Sequence, residues 1–232
     1  MKKGPKDEGV DYLVHQAREH LEKKYGSSWF HEVLTTSDVP LERPLHYETF
    51  WGDLYVETIR EAVGADVSLD VGEFFGVTQP AGPVTREGLF RFYPRVFDLN
   101  QPYGWTIWSI QVPGWLLSEV LEVGSKYYDT YFSTSGMSYS LHQTESGVQV
   151  KDLRVNGKKF DPNRIYKMAV TEGIGRGGKE LSRLLRLFFK PKDSGIPVWM
   201  AVEKRLRQMG SASASSSATS RGNSGAIFDG QP

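Results

Sequence analysis

Three glycines toward the end of the sequence have the spacing of a phosphate-binding turn. Gly173, Gly175 and Gly178 match the pattern G-x-G-x-x-G, in which backbone amides cradle the phosphates of a dinucleotide. An apolar run at residues 166–170 precedes them, and a leucine-rich amphipathic segment at residues 181–189 follows. The structural context of these glycines decides between an oxidoreductase, a part of a hydrolase, and neither.

The position of this turn argues against a dinucleotide site. A dinucleotide fingerprint belongs to the first βαβ unit of a parallel sheet, with an acidic residue after the next strand. Here residues 190–195 read as a loop and residues 198–208 as a helix, so that next strand is missing. The spacing also arises easily by chance in a chain with 24 glycines. A glycine turn after a strand can instead form a wall of a ligand cleft, because glycine permits a close backbone approach.

Charge and composition exclude several classes of protein. The 28 basic and 28 acidic residues balance, so no long-range field attracts nucleic acid or an anionic membrane, and we expect neither as a partner. The sequence has no cysteine, which excludes disulfides, thiolate metal sites and cysteine nucleophiles. Its first eight residues turn acidic where a signal peptide would be apolar. No apolar run approaches the roughly 20 residues of a membrane span.

Hydrophobic periodicity predicts alternating helices and strands with several hairpins. We expect helices at residues 10–25, 48–63 and 115–123, and strands at residues 66–70, 105–112, 138–142, 148–155 and 166–170. Asn156-Gly157 is a strong signal for a hairpin turn. This pattern predicts an α+β fold, a mixed sheet with hairpins packed by helices, rather than a repeating βαβ array.

The chain divides into three parts. Residues 1–26 form an N-terminal helix that ends at Gly26, and residues 27–209 form the main domain, with residues 27–44 as a connecting stretch. From residue 210 the composition changes to Ser, Ala, Thr and Gly, which bury too little apolar surface to offset the entropy of ordering. We therefore expect residues 210–232 to be disordered, with Ile227-Phe228 as a lone large apolar pair.

Short motifs follow one another in an order that is characteristic of a known family. They are Glu48-Thr49 before Gly52-Asp53-Leu54, the corner Ala81-Gly82-Pro83-Val84-Thr85, Val112-Pro113-Gly114 before Leu121-Glu122, Ser135-Gly136, Val155-Asn156-Gly157-Lys158, and residues 166–171 before Gly177-Gly178. The ordered set resembles the C-terminal domain of the 5'-nucleotidase family of periplasmic and cell-surface hydrolases, over residues 13–208.

The resemblance implies that hydrolysis and substrate binding belong to separate domains. In that family a separate N-terminal metallophosphoesterase domain holds two metal ions and performs hydrolysis, while the C-terminal domain binds the nucleoside part of the substrate. The five histidines of this chain lie in none of the Asp-x-His or Asn-His-Asp/Glu contexts of that domain. We therefore expect no catalytic residue, metal or cofactor in this chain, divalent metal ions only in the N-terminal domain, and a periplasmic or extracellular location.

The substrate-facing positions depart from the family pattern. The family's Asn-Ser-Gly-Gly-x-Arg turn reads as residues 70–76 without an arginine. Its Pro-Phe-Gly-Asn turn, whose ring stacks on the base, becomes Pro94-Arg95-Val96-Phe97. Its Gly-Gly-Asp-Gly-aromatic turn becomes Gly177-Gly178-Lys179-Glu180-Leu181. Both rings of the purine clamp are therefore lost at their matching positions, and Phe97 or Phe75 either restores one of them or belongs to the core.

These positions define the candidate substrate-binding residues, which are Phe75, Arg95, Phe97, Arg176, Gly177, Gly178 and Lys179. The three basic residues among them would line a cleft for a small anion, a nucleotide or another ester, unless they are solvated loop charges. Two alternatives stay open. One is a thiosulfohydrolase of bacterial sulfur oxidation, a related branch that lacks the purine clamp. The other is a non-catalytic protein-interaction module with a degenerate cleft.

Overall fold

In the part of the chain that the structure describes, strands from both halves of the sequence form three separate sheets. The computed structural model describes residues 8–45, 47–96, 104–127, 132–144, 147–176, 189–212 and 224–229. Its helices are α1 Glu8–Tyr25, α2 Phe50–Ala62, α3 Arg86–Phe92, α4 Gly114–Tyr127, α5 Glu172–Gly175 and α6 Val198–Met209. Its strands are β1 Val33–Ser37, β2 Val67–Val71, β3 Gly82–Thr85, β4 Thr106–Pro113, β5 Phe132–Ser135, β6 Met137–Thr144, β7 Gly147–Val155, β8 Lys158–Lys159, β9 Ile165–Thr171, β10 Lys192–Pro197, β11 Ser211–Ala212 and β12 Ser224–Asp229.

A five-stranded mixed sheet lies at the centre, in the order β10-β4-β9-β2-β5. Strand β9 runs parallel to β2 and antiparallel to β4. The other two sheets have the orders β11-β1-β3 and β12-β6-β7-β8. The fold is therefore α+β, as the sequence predicts. The segment after the glycine turn returns as β10, which is separated from β9 by the antiparallel strand β4. Strands β9 and β10 are therefore not the adjacent parallel pair of a dinucleotide-binding βαβ unit.

Helix α2 shows how local sequence produces packing in this domain. Thr49 caps it by accepting a hydrogen bond from the amide of Gly52 at 3.1 Å, which satisfies one orphan donor of the first turn. The side chains of Trp51, Tyr55 and Ile59, spaced four residues apart, are all at most 2% exposed. This spacing places them on one face of the helix, and that face packs on β5, β2 and β9 of the central sheet.

The hairpin between β7 and β8 confirms the Asn156-Gly157 prediction. Asn156 has φ 50° and Gly157 has φ 72°, the positive pair that a tight two-residue turn requires. Helix α1 also forms as predicted and ends at Gly26, whose φ is 96°. None of the α1 residues is buried, however. Tyr25 joins it to the domain by stacking on Trp29, with ring centroids 4.5 Å apart.

Four parts of the chain differ from the sequence-based expectation. The connecting stretch contains β1, and the Pro-Gly corner contains β3. The expected loop at residues 190–195 instead contributes most of β10, an edge strand. Within the expected disordered tail, Ser211–Ala212 pairs with β1, and Ser224–Asp229 pairs with β6 in six consecutive positions. Each of these strands is held by backbone pairing to a neighbour that is distant in sequence. In the described residues, no helix is long and apolar enough to cross a membrane.

A buried ion-pair cluster joins α3, α6 and the segment after α1. Arg86 is 3% exposed and its guanidinium lies 4.4 Å from the centroid of the Trp29 ring. It donates to Glu203 at 2.7 and 2.9 Å and to Glu32 at 2.9 Å, and also to the carbonyl of Trp29. A buried cation with this many partners fixes the relative position of three segments.

Replacing Arg86 by methionine is expected to lower the free energy of unfolding by about 3 kcal/mol, because the carboxylates lose a buried partner. The control is Arg205→Met. Arg205 pairs with Glu61 at 3.0 Å on the surface, and its loss is expected to cost less than about 1 kcal/mol. Urea unfolding of both variants measures the two values, and equal losses would contradict the prediction.

Candidate functional site

The candidate site lies at one end of the central sheet. Because β2 and β9 are parallel, their carboxyl ends meet at the same edge. Strand β4 begins at that edge, where Ile107 pairs with Thr171. A 3₁₀ turn, Gly72–Phe74, follows β2, and α5 follows β9. Ligands of open sheets commonly bind outside the carboxyl ends of parallel strands, so this edge is the natural place for a site.

The first two glycines of the G-x-G-x-x-G pattern pack against indole rings. A Cβ atom on Gly173 would lie 2.6 Å from Cζ3 of Trp105, and one on Gly175 would lie 2.8 Å from Cδ2 of Trp108. Neither glycine has a positive φ. Glycine is needed at these two positions because the rings approach the backbone closely, and not because of a left-handed turn.

Two exposed arginines lie over the same two indoles. The guanidinium carbon of Arg95 is 5.8 Å from the centroid of the Trp105 ring, and that of Arg176 is 6.0 Å from the Trp108 ring. Both distances are within the range of a cation–π contact. Trp105 directly precedes β4 and Trp108 lies on it, and the two rings pack against α5 at Gly173 and Gly175 respectively. We call Arg95, Trp105, Trp108 and Arg176 the tryptophan–arginine rim.

Glu172 supports one half of the rim from below. Its side chain is buried, and its Oε2 accepts from the amide of Thr106 at 3.0 Å. Its Oε1 accepts from Nε of Arg176 at 2.6 Å, while the side chain of Arg176 remains 54% exposed. The carboxylate therefore holds the guanidinium beside Trp108 and partly offsets its charge, while the arginine still faces solvent.

Asp70 is a buried acidic residue next to the site, at the end of β2. It is 1% exposed, and its carboxylate accepts from the hydroxyl of Tyr93 at 2.7 Å and from that of Thr171 at 3.1 Å. Burial raises the pKa of Asp70 to about 7, against the hydrogen bonds from Tyr93, the Val71 amide and Thr171, which lower it. A carboxyl group of this kind changes its charge near neutral pH.

A match to the sequence model of a protein family identifies the family of this domain. The model described as "5'-nucleotidase, C-terminal domain" matches residues 33–185, which is more than half of the chain. The chain belongs to the 5'-nucleotidase C-terminal domain family. The matched range includes β4, β9 and α5, and it also includes every residue of the tryptophan–arginine rim.

Solved structures share this fold at low sequence identity. The 5'-nucleotidase precursor of Thermus thermophilus matches 96% of this chain with a TM-score of 0.69 and 17% identity, over 44% of its own length. The NAD nucleotidase of Haemophilus influenzae matches 100% with a TM-score of 0.71 and 16% identity, over 44% of its length. The sulfate thiohydrolase of Thermus thermophilus matches 98% with a TM-score of 0.64 and 18% identity, over 40% of its length. The chain therefore spans less than half the length of these proteins. No curated protein sequence matches it significantly.

The structure describes three of the residues that the sequence predicts for substrate binding, Arg95, Arg176 and Phe75. Arg95 and Arg176 both lie on the rim. Phe75 is 2% exposed and packs edge-on against Tyr55 and Phe92, so it belongs to the core and not to a purine clamp. Four further candidates, Phe97, Gly177, Gly178 and Lys179, lie outside the described residues.

Sequence reasoning missed Trp105, Trp108 and Glu172. Trp105 and Trp108 were visible as the start of an alternating strand, and Glu172 as the residue after an apolar run. What links them is the antiparallel pairing of β4 with β9, which places Ile107 opposite Thr171 and Trp108 opposite Val170, residues that are far apart in the sequence. Within the described part of the chain, no group of three or more His, Asp or Glu side chains could hold a metal ion.

Substituting Gly173 by alanine is expected to destabilise the domain by about 1–3 kcal/mol, because the new methyl group overlaps the Trp105 ring. Thermal unfolding measures this loss, and Trp105 fluorescence reports the displaced indole. Adding Trp105→Phe removes the ring atoms that clash, so the double variant should be less destabilised than the sum of the single variants. Strict additivity would contradict the packing role of Gly173.

Asp70 is expected to make stability depend on pH. Because its folded pKa of about 7 lies above the ordinary value of 3.8, its favourable contribution is present below pH 4 and is lost as pH rises to 7. Three pKa units correspond to about 4 kcal/mol. Urea unfolding at pH 4.5, 5.5, 7 and 8 should therefore show Asp70→Asn gaining stability relative to the unmodified chain as pH rises. A difference that stays constant across this range would contradict the assignment.

Proposed function

We propose that this chain is the substrate-recognition domain of a 5'-nucleotidase-like hydrolase and that the tryptophan–arginine rim binds an anionic group of the substrate. The observation that carries the proposal is the pair of exposed guanidiniums held over indoles at the carboxyl ends of β2 and β9. Arginine recognises phosphate and related oxyanions through its planar donor fork. A cation–π contact with the ring beside it favours a guanidinium position near that ring.

Hydrolysis is assigned to a separate domain. The described residues contain no group that fits a metal ion, and a two-metal mechanism needs both ions close to the attacked phosphorus. We propose that an N-terminal metallophosphoesterase domain supplies the divalent ions and the attacking nucleophile, while this domain selects and orients the substrate. The family resemblance favours a periplasmic or extracellular location and hence a role in nucleotide catabolism outside the cytoplasm.

The substrate class follows from which groups face the site. Phe75 is buried in the core, so it supplies no stacking surface for a purine. The rim offers positive charge instead. Affinity should therefore follow the anion, and adenosine should bind weakly if at all. The fold shared with a sulfate thiohydrolase makes a sulfur oxyanion the second candidate, and thiosulfate is the probe that tests it.

Isothermal titration with inorganic phosphate, AMP, thiosulfate and adenosine tests the proposal. Phosphate or thiosulfate is expected to bind, and Arg95→Ala and Arg176→Ala are each expected to weaken that binding about tenfold, the effect of losing a charge-assisted hydrogen bond. Arg164→Ala is the matched control. Arg164 also lies over a ring, 5.0 Å from the Tyr166 centroid, and pairs with Asp66, but it precedes β9 at the opposite end of the sheet.

Each outcome of this titration has a definite meaning. Anion binding that is weakened equally by all three alanine variants would reflect general charge and would contradict a site at the rim. No binding of any anion would favour a non-catalytic interaction module. Micromolar affinity for adenosine would overturn the assignment of specificity to the anion and would place a purine-stacking surface in this domain.

A further inference from the structure

The two arginine-bearing segments of the rim meet at a single buried carboxylate. Tyr93 lies two residues before Arg95, and Thr171 lies five residues before Arg176. The hydroxyls of Tyr93 and Thr171 both donate to Asp70, one to each carboxylate oxygen, at 2.7 and 3.1 Å. These three residues are each at most 1% exposed, so water does not substitute for either bond.

Each segment continues from its hydroxyl to the rim through a backbone hydrogen bond. After Tyr93, the carbonyl of Arg95 accepts from the amide of Trp105 at 3.1 Å. After Thr171, the carbonyl of Glu172 accepts from the amide of Arg176 at 2.8 Å. The chain of contacts therefore runs from Asp70 to both cation–indole pairs, and the carboxylate is the point from which the two branches separate.

We propose that Asp70 is a positioning residue for the anion site, which holds the Arg95 and Arg176 segments in the arrangement that lets both guanidiniums reach one ligand. The inference takes its ligand from the proposed function. The link from Asp70 to the Arg95 and Arg176 segments does not depend on that function. A carboxylate suits this place because each of its oxygens accepts independently. An asparagine of the same shape offers one acceptor oxygen and directs an amide donor at the second hydroxyl.

The surroundings of Asp70 favour a role in joining the two segments over a role in core packing. Within the described part of the chain, the groups that face it are the hydroxyls of Tyr93 from the end of α3 and Thr171 from β9, the ring of Tyr55 from α2, and Ser133, which is directly opposite on β5. None of these is a cation. Keeping an acid buried without a cationic partner costs free energy, and packing alone would be served better by an apolar residue.

Amide hydrogen exchange followed by NMR tests the structural content without a ligand. Tyr93→Phe is expected to speed exchange of the Trp105 amide about tenfold and to leave that of Arg176 unchanged. Thr171→Val is expected to do the reverse. Asp70→Asn is expected to speed both. General destabilisation would speed the exchange of both amides in every variant. It would not confine the change to one amide when one hydroxyl is removed.

Ser68→Ala is the matched control for these three variants. Ser68 is buried on β2, two residues before Asp70 and hence on the same face, and it donates to the carbonyl of Val56 at 2.6 Å. Its removal costs a buried hydrogen bond that leads to α2 and not to the rim. Both rim amides should keep their exchange rates in this variant. Faster exchange at both amides in Ser68→Ala would overturn the proposal.

Isothermal titration with sulfate, whose charge stays constant near neutral pH, adds the functional readout. Asp70→Asn is expected to weaken sulfate binding about tenfold, as Arg95→Ala does, while Ser68→Ala leaves it unchanged. If Asp70→Asn keeps full sulfate affinity and slow exchange at both amides, the positioning role is overturned while the anion site stands. If the unmodified chain does not bind sulfate but the exchange pattern is as expected, the anion site fails and the structural link through Asp70 is supported.

Discussion

The antiparallel pairing of β4 with β9 is the constraint on which the site depends. Seven residue pairs, from Ile107 opposite Thr171 to Pro113 opposite Ile165, fix the register. A shift by one residue would turn every side chain of β4 to the opposite face. Only in the observed register do Trp105 and Trp108 meet the glycines of α5. The contact between Trp108 and α5 thus depends on this strand pairing, and Arg95 is joined to the same end of β4 by the hydrogen bond from the Trp105 amide to its carbonyl.

The parallel pairing of β2 with β9 places an acidic residue inside the domain. Strand β2 joins the sheet next to β9 and carries Asp70 to the edge where Thr171 ends its strand. The carboxylate has lost its water, and two hydroxyls and the Val71 amide replace part of that hydration. Burying a charge in this way opposes folding. Its hydrogen bonds join two segments of the site, and this role accounts for an acid at this position better than stability does.

Local sequence was sufficient to predict the elements whose buried residues recur at a regular spacing. It was insufficient to predict the strands that are held by distant partners. Helix α2 and strand β4 carry their apolar residues at regular spacing, so both were predicted. Strand β10 has no such pattern, because it lies at the edge of its sheet and its first four residues are exposed. Charged residues such as Lys192 and Asp193 are usual on an edge strand. Strand β12 likewise depends on the backbone of β6.

The candidate site was predictable in part for the same reason. Its two described arginines follow from motif positions, whereas the roles of Trp105 and Trp108 depend on residues that are far away in the sequence.

The glycine pattern shows what a motif of this kind reports. A missing Cβ atom permits a close approach to the backbone, and the pattern does not say what approaches. In a dinucleotide site the approaching group is a phosphate, whereas at Gly173 and Gly175 it is an indole ring. At these two glycines the atoms nearest to the backbone position are therefore ring carbons and not ligand atoms. Recognition of an anion then passes to the guanidiniums that lie over the rings, which is why the proposed specificity lies in Arg95 and Arg176 and not in the glycine turn itself.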